Sequence, residues 1–158
     1  MTQTTAFDPA RTLTTMLLAG ATATVAFDLY GQAISPLMGF ATLAPVPLAR
    51  QTLQTVLGAS SEAGGQLLHY LAGLVAYPVG WMIGRRIMAR VAPGLPWIVG
   101  ALAYGVLLWI FAIGFLASII NGNPFFLGWT GITWVALAGH VLFAVVAAVV
   151  IERREAVP

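Results

Sequence analysis

Four long apolar segments, set apart by turn-forming residues, constrain this chain more than any other feature of its sequence. They cover about residues 9–35, 65–91, 96–120 and 131–151. A helix crosses the hydrocarbon core of a bilayer with about 20 residues, and each segment reaches that length. Hydrocarbon offers the backbone no hydrogen bonds, so such segments are helical. The sequence therefore predicts an all-α integral membrane four-helix bundle, a single transmembrane domain over residues 1–158.

The residues at the ends of these segments are typical of helix boundaries. Asp8 and Pro9 combine an N-cap acceptor with a proline at the first helical position. Pro36 is expected to end the first span, and the turn cluster at 121–124 is expected to end the third. Pro78 lies inside the second span and predicts a kink there.

Composition supports a membrane protein and argues against most enzymes. Hydrophobic residues make up 59% of the chain and charged residues 8%, whereas soluble domains carry about 25% charged residues. There is no cysteine, which excludes disulfides and thiolate metal sites. Phosphate-binding loops, zinc-protease motifs and serine nucleophile elbows are also missing from the sequence. The balance favours a protein without catalytic activity.

The basic residues, all of them arginines, predict the orientation of the spans. Six fall on the side that holds both termini and the loop between the second and third spans, whereas Arg50 alone falls on the other side. Because positively charged loops stay in the cytoplasm, both termini are predicted to be cytoplasmic. We therefore expect a multi-pass protein of the bacterial inner membrane that binds no nucleic acid. The six arginines are Arg11, Arg85, Arg86, Arg90, Arg153 and Arg154.

Two apolar loops are predicted on the outer side of the membrane. Residues 46–58 place Leu48 and Leu53 against Arg50 and Gln54, which predicts a short amphipathic helix in the first outer loop. The second loop contains an aromatic segment suited to the membrane interface. Both loops either face lipid alone or form a docking surface for another subunit.

Small residues recur every four positions on the second span and predict its packing face. They are Ala72, Ala76, Gly80 and Gly84, of which the last two form a GxxxG motif. Small residues let membrane helices approach closely. This face packs either against another span of the bundle or against a second copy of the chain.

Asp28, His69 and His140 are the ionisable side chains inside the predicted spans, where such groups are costly and often functional. Thr24 and Asp28 share one stripe of the first span, and His69 and Tyr77 share one stripe of the second. Asp28 is therefore predicted to meet His69 near the outer side. The pair is either a proton or ligand site, or a buried hydrogen-bonded pair that fixes helix register.

His140 is predicted near the middle of the fourth span, where Gly139 leaves room for a flat ring beside it. Because paired histidines on different spans bind haem b in membrane cytochromes, His69 and His140 are candidate haem ligands. Counting residues from the span ends places them at different depths, which argues against haem. In the alternative interpretation, His140 is structural and donates a hydrogen bond to a carbonyl, to Thr24 or to Tyr104.

The last span, from Trp134 to Ala148, contains the core Gly139-His140-xx-Phe143-Ala144. This core resembles the GHxx(F/Y)(A/G) pattern in the last span of several small uncharacterised bacterial inner-membrane families. The resemblance implies a four-helix topology and no particular activity.

The sequence predicts a non-catalytic accessory subunit of a larger inner-membrane complex, either respiratory or photosynthetic. Few ionisable groups in the spans, small-residue faces and apolar outer loops support this prediction. The alternatives are a redox protein that binds haem b through His69 and His140, and a small proton-coupled carrier that uses Asp28 and His69. Its expected partners are the lipid bilayer and either other membrane subunits or a second copy of the chain.

Overall fold

The structure, a computed structural model, describes residues 8–156, so both ends of the predicted domain lie outside the described residues. Helices account for 85% of it, and the described part contains no strand. In chain order the helices are α1 (Pro9–Leu37), α2 (Pro45–Leu57), α3 (Glu62–Val91), α4 (Trp97–Ile120) and α5 (Gly131–Ala156). All but α2 are long and apolar enough to cross a membrane. The prediction of four membrane-spanning helices is confirmed, and these helices indicate a multi-pass membrane protein.

Side-chain caps set the first residues of two helices. The Asp8 carboxylate accepts hydrogen bonds from two backbone N–H groups of the first turn of α1, at 3.0 and 3.2 Å, so the predicted cap is confirmed. Ser61 accepts one from the N–H of Gly64 at 3.0 Å. This cap starts α3 at Glu62, three residues before the predicted beginning of the second span.

Wide π-helical turns interrupt three of the spanning helices. In α3 the cause is Pro78, which has no N–H and cannot complete the usual helical hydrogen bond to the Leu74 carbonyl. The N–H of Tyr77 bonds to the carbonyl of Ala72 instead, one residue beyond its α-helical partner. The irregularity that Pro78 predicts therefore lies in the turn before the proline. The π-helical stretches are residues 30–34, 72–76 and 110–120.

Two glycines mark the closest approaches between helices. The most deeply buried span is α5, which packs against α1 and α4, while α1 also packs against α3. A Cβ atom built on Gly20 would lie 2.5 Å from the Leu74 oxygen, and one on Gly105 would lie 2.5 Å from the Cα of Val141. The neighbours are backbone atoms, so neither position has room for a side chain.

The predicted packing face of α3 makes few close contacts inside the chain. Gly80 lies against the Tyr104 hydroxyl, but a Cβ on Gly84 would have no neighbour within 4 Å. Ala72 and Ala76 border a cavity rather than a neighbouring helix. The expected packing contact of Gly84 is therefore not made with any of residues 8–156, and its contact with a second copy stays a prediction.

One end of the bundle, called the arginine end, is fastened by charged side chains. Arg85 of α3 donates to Glu152 of α5 at 2.7 Å and also pairs with Glu155. Arg154 of α5 donates to the hydroxyl of Thr15 in α1 at 3.0 Å. These partners stabilise the polar last turn of α5, which is why the helix continues past the end predicted for the fourth span.

The opposite end, called the α2 end, is closed by α2. Gln51 donates to the Asn121 carbonyl at 3.2 Å and accepts from the amide of Asn123 at 3.0 Å, which joins α2 to the end of α4. Arg50 pairs with Glu62 at 2.9 Å and joins α2 to the start of α3. A helix thus occupies the predicted loop region. Its location on the outer face of a membrane stays a prediction.

The loop between α4 and α5 contains a left-handed turn. Residues 126–129 have φ angles of 47°, 54°, 70° and 56°, and each non-glycine residue there costs about 1–2 kcal/mol. The Ser118 hydroxyl accepts from the N–H of Phe126 at 2.9 Å, and the Thr133 hydroxyl donates to the Phe126 carbonyl at 2.6 Å. The Phe126 ring lies 4.6 Å from the ring of Trp109. These contacts hold the strained turn in place.

Candidate functional site

The helices α3 and α4 diverge towards the α2 end and leave a cavity of about 760 Å³ between them. Their backbones approach each other over Tyr77–Val91 and Trp97–Trp109, near the arginine end. There the Tyr104 hydroxyl donates to the Tyr77 carbonyl at 2.7 Å, and the Tyr104 ring lies 5.8 Å from the ring of Trp81. Beyond this contact the π-helical stretches of α3 and α4 form two walls of the cavity.

The lining of the cavity is mainly apolar and carries no charged carboxylate or arginine. The helices α1 and α5 form its back wall and α2 its roof, with Leu43 of the preceding loop beside them. Aromatic residues from four helices line it, which suits a ligand with flat rings. These aromatic lining residues are Phe27, Tyr77, Phe111 and Phe143.

The cavity opens sideways, between α3 and α4. Its rim is formed by lining residues that are also exposed on the surface of the bundle: Leu71 (50% exposed) and Val75 (36%) of α3, and Phe111 (46%) of α4. The roof is fastened to both α3 and α4 by Arg50 and Gln51. In a membrane the side opening faces lipid, so a lipid-soluble molecule has direct access.

His140 is buried, with 6% of its surface exposed, and lines the cavity. Its Nδ1 lies 2.7 Å from the Ala136 carbonyl, and because a carbonyl only accepts, Nδ1 carries the proton and donates. This is the carbonyl contact of the structural interpretation. Among residues 8–156 the Ala136 carbonyl is the hydrogen-bond partner of the His140 ring, so the other ring nitrogen, Nε2, has none there.

The space beside Gly139 is filled by side chains of the chain itself. A Cβ there would lie 3.0 Å from the Phe27 ring and 3.2 Å from Leu43. The Phe27 ring meets the His140 ring edge-on, with 5.2 Å between centroids. The flat ring that Gly139 accommodates is therefore that of Phe27.

Asp28 and His69 meet between α1 and α3, as the sequence predicts. His69 Nε2 lies 3.1 Å from each oxygen of the Asp28 carboxylate, which also accepts from the Gln32 amide at 2.9 Å. His69 lines the cavity, and Asp28 lies outside the lining. The pair ties α1 to α3 and gives the cavity one polar edge, so both interpretations of the pair stay open.

Thr24 is a further polar residue in the lining of the cavity. It is 3% exposed, and its hydroxyl has no hydrogen-bond partner among the described residues, whereas the buried hydroxyls of Thr15 and Thr133 both have one. Gly73 of α3 lies directly against this hydroxyl, whose oxygen has almost no accessible surface. The partnerless hydroxyl is costly, and it is covered by α3 rather than open to the cavity.

Tyr77 lies where the cavity narrows towards the arginine end. Its ring meets the ring of Phe143 edge-on at 5.5 Å, and its carbonyl accepts from Tyr104. Tyr77 therefore closes the cavity at its narrow end, and its predicted stripe with His69 borders the same space.

Counted from the observed helix starts, His69 lies seven residues into α3 and His140 lies nine residues into α5. Both rings lie near Phe27, with ring centroids at 6.4 and 5.2 Å. The two histidines therefore share an aromatic neighbour, and the expectation that they lie at different depths stays a prediction.

Each histidine has one ring nitrogen in a hydrogen bond and one without a partner in the described part of the chain, which suits a metal-binding imidazole. Among the described residues no group of three or more metal-ligating side chains occurs. A haem held by His69 and His140 alone stays a prediction.

Sequence reasoning found four residues that line the cavity, Thr24, His69, Tyr77 and His140, but it did not find the cavity. A signal was available in Ala72 and Ala76, whose small side chains the pattern assigned to close packing. In the structure these alanines enlarge the space between α3 and α4. Small residues allow close packing or leave a void, and sequence spacing does not distinguish the two.

The fold and the site define a multi-pass membrane protein with a cavity between two of its spanning helices. Comparison with protein-family models, with curated proteins and with solved structures gave no match for this chain. Any functional conclusion therefore rests on the site itself.

Proposed function

We propose that this chain is a non-enzymatic membrane protein that binds an uncharged, lipid-soluble small molecule in the cavity between α3 and α4. One observation carries the proposal: an apolar cavity of about 760 Å³ opens sideways and is lined by His140, whose Nε2 has no hydrogen-bond partner among the described residues. Such a combination of apolar walls and a few polar groups is typical of small-molecule sites.

Energetics support an occupied cavity. A dry apolar void costs stability because the atoms that line it lose their contacts on one side. The cavity opens sideways, so molecules from the membrane can enter it and restore these contacts. Lipid chains or a specific ligand therefore fill the space in the membrane.

His140 favours a specific ligand over a lipid chain. An alkyl chain makes no hydrogen bonds and leaves His140 Nε2 without a partner in an apolar environment. A ligand with a suitable polar group satisfies it. The binding free energy that this adds separates the ligand from bulk lipid.

The second candidate function is the accessory subunit of a larger respiratory or photosynthetic complex. Ala72 and Ala76 favour it, because this small-residue face of α3 borders the cavity instead of a neighbouring helix. A helix of a partner subunit fits such a face. Haem binding through His69 and His140, and proton-coupled transport through Asp28 and His69, are the remaining alternatives.

Native mass spectrometry of the protein, extracted into nanodiscs from its own membranes, tests these proposals together. The variant Ala76→Trp places a large ring in the cavity. The matched control is Ile83→Trp, which adds the same ring to a side chain of α3 that is 53% exposed and lies outside the lining. We expect wild type and Ile83→Trp to retain a small apolar molecule, and Ala76→Trp to lose it.

The other outcomes each contradict the proposal in a distinct way. An added polypeptide without a small molecule supports the accessory subunit. Added haem with a Soret band that His140→Ala abolishes supports the redox protein. Equal retention by Ala76→Trp and Ile83→Trp shows that the retained molecule does not occupy the cavity. Uptake into liposomes that Asp28→Asn abolishes supports the carrier.

A further inference from the structure

The geometry points to a ligand that carries a hydroxyl group on an apolar ring system, with the O–H donating to Nε2 of His140. This inference rests on the proposed function and specifies the class of ligand: an uncharged phenol or cyclic alcohol. Three properties of the site carry it: the tautomer of His140, the absence of charge in the cavity lining, and the aromatic side chains of the lining.

The tautomer of His140 follows from its single hydrogen bond. The proton is on Nδ1, because the Ala136 carbonyl at 2.7 Å accepts only. The neutral ring then presents Nε2 as an acceptor. The ligand group that completes it is therefore a donor, which ketones, ethers and ester carbonyls are not.

A doubly protonated His140 does not fit its surroundings. Such a ring would be a buried cation, which is stable in a membrane only beside an anion. The carboxylate of Asp28 in α1 already forms hydrogen bonds with His69 and Gln32. No carboxylate of the described residues lines the cavity. His140 is therefore neutral, and an acceptor at Nε2.

The lining also selects against charged ligands. It contains no arginine, aspartate or glutamate, so neither a phosphate head group nor an ammonium group has a counter-ion there. A hydroxyl is uncharged and both donates and accepts. It can therefore donate to His140 without needing a counter-ion in the lining.

Two probes that share a naphthalene ring system and differ in hydrogen-bond donation test the inference. 2-Naphthol carries a hydroxyl, and 2-methoxynaphthalene carries an ether that cannot donate. Binding is measured by equilibrium dialysis as the difference between protein-containing and empty nanodiscs. We expect wild-type protein to bind 2-naphthol about tenfold more tightly than the ether, since one hydrogen bond to a buried acceptor distinguishes them.

The variant His140→Phe keeps a flat ring and removes both nitrogens, so it is expected to bind the two probes equally. Thr22→Val is the control, because Thr22 is exposed and its hydroxyl already donates to the Leu18 carbonyl at 2.8 Å. It should keep the wild-type preference. The ¹⁵N resonance of His140 Nε2 in wild-type protein gives an independent readout, which 2-naphthol should shift and the ether should not.

The failures of the two proposals are distinguishable. Equal binding of both probes by wild type, above the empty-nanodisc level, keeps the cavity as a binding site and refutes the hydroxyl assignment. Persistent preference for 2-naphthol in folded His140→Phe refutes the role of His140. Absence of binding by either probe, together with no retained molecule in the mass spectrum, refutes the proposed function itself.

Discussion

Replacing Gly105 by alanine is expected to destabilise the bundle at the crossing of α4 and α5. The new Cβ would lie 2.5 Å from the Cα of Val141 and 3.0 Å from the His140 carbonyl oxygen. Non-bonded heavy atoms prefer about 3.5–4.0 Å, so the two helices must separate by about 1 Å locally. The obstacle is backbone, which cannot rotate out of the way as a side chain can.

The magnitude follows from two opposing terms. Overpacking of a rigid contact costs about 1–3 kcal/mol, and the backbone obstacle at Gly105 places the substitution in the upper part of that range. The better helix propensity of alanine offsets about 1 kcal/mol. Gly84→Ala gains the same propensity without the clash, because nothing lies within 4 Å of its Cβ position. The two variants should therefore differ in free energy of unfolding by about 2–3 kcal/mol, with Gly84→Ala the more stable.

The assay is reversible unfolding in mixed micelles, titrated with a denaturing detergent and followed by far-ultraviolet circular dichroism. Both variants make the same chemical change in a spanning helix, so effects on micelle binding cancel. The result that refutes the reasoning is a Gly105→Ala protein as stable as Gly84→Ala. The contact seen at Val141 would then not limit the approach of α4 to α5.

Three further predictions concern the ends of the bundle and its polar pair. Arg85→Gln should lower the free energy of unfolding by about 1 kcal/mol, because Arg85 joins α3 to Glu152 of α5. The control is Arg86→Gln, which should have no such effect because Arg86 is exposed and has no ion pair among the described residues. Equal effects of the two variants in a urea or detergent titration would contradict this assignment. Ser118→Ala should lower the free energy of unfolding by about 1–3 kcal/mol, since it removes the acceptor for the Phe126 N–H in the left-handed turn. Faster hydrogen exchange of the Phe126 amide is the expected measurement, and unchanged exchange would count against the prediction. Asp28→Asn should also lower the free energy of unfolding by about 1–3 kcal/mol, because it weakens the hydrogen bond to His69. The melting temperature should fall accordingly, and it should fall less for Gln32→Ala, which leaves the bond between Asp28 and His69 intact.

The four spans were predictable because length and hydropathy alone fix them. Their ends shift for local reasons that the pattern only partly contains. Ser61 starts α3 early through its cap, and Glu152 stabilises the last turn of α5 by pairing with Arg85. The Ser61 cap is a local sequence signal, because serine directly before a helix is a common N-cap residue. The pairing of Glu152 depends on a residue 67 positions away, which no local pattern indicates.

The polar residues of the candidate site were predictable from the sequence, but the cavity that they line was not. Polar residues in apolar spans are conspicuous, so His69, His140 and Thr24 were identified. The cavity lies between the π-helical stretches at 72–76 and 110–120, residues of which line it. Pro78 explains the first stretch, whereas nothing in the sequence of the second indicates a π turn. The cavity could therefore be found only from the structure.

The cavity is a fixed part of the fold rather than a packing defect. Ala72, Ala76 and Ala112 line its facing walls and would let α3 and α4 approach closely. At the narrow end, however, Tyr104 lies between the helices and donates to the backbone of α3. At the wide end, α2 is tied to both helices, to α4 through Gln51 and to α3 through an ion pair. Closing the cavity would break these contacts at both ends, so a ligand enters a preformed space and binds without paying for a rearrangement of the helices.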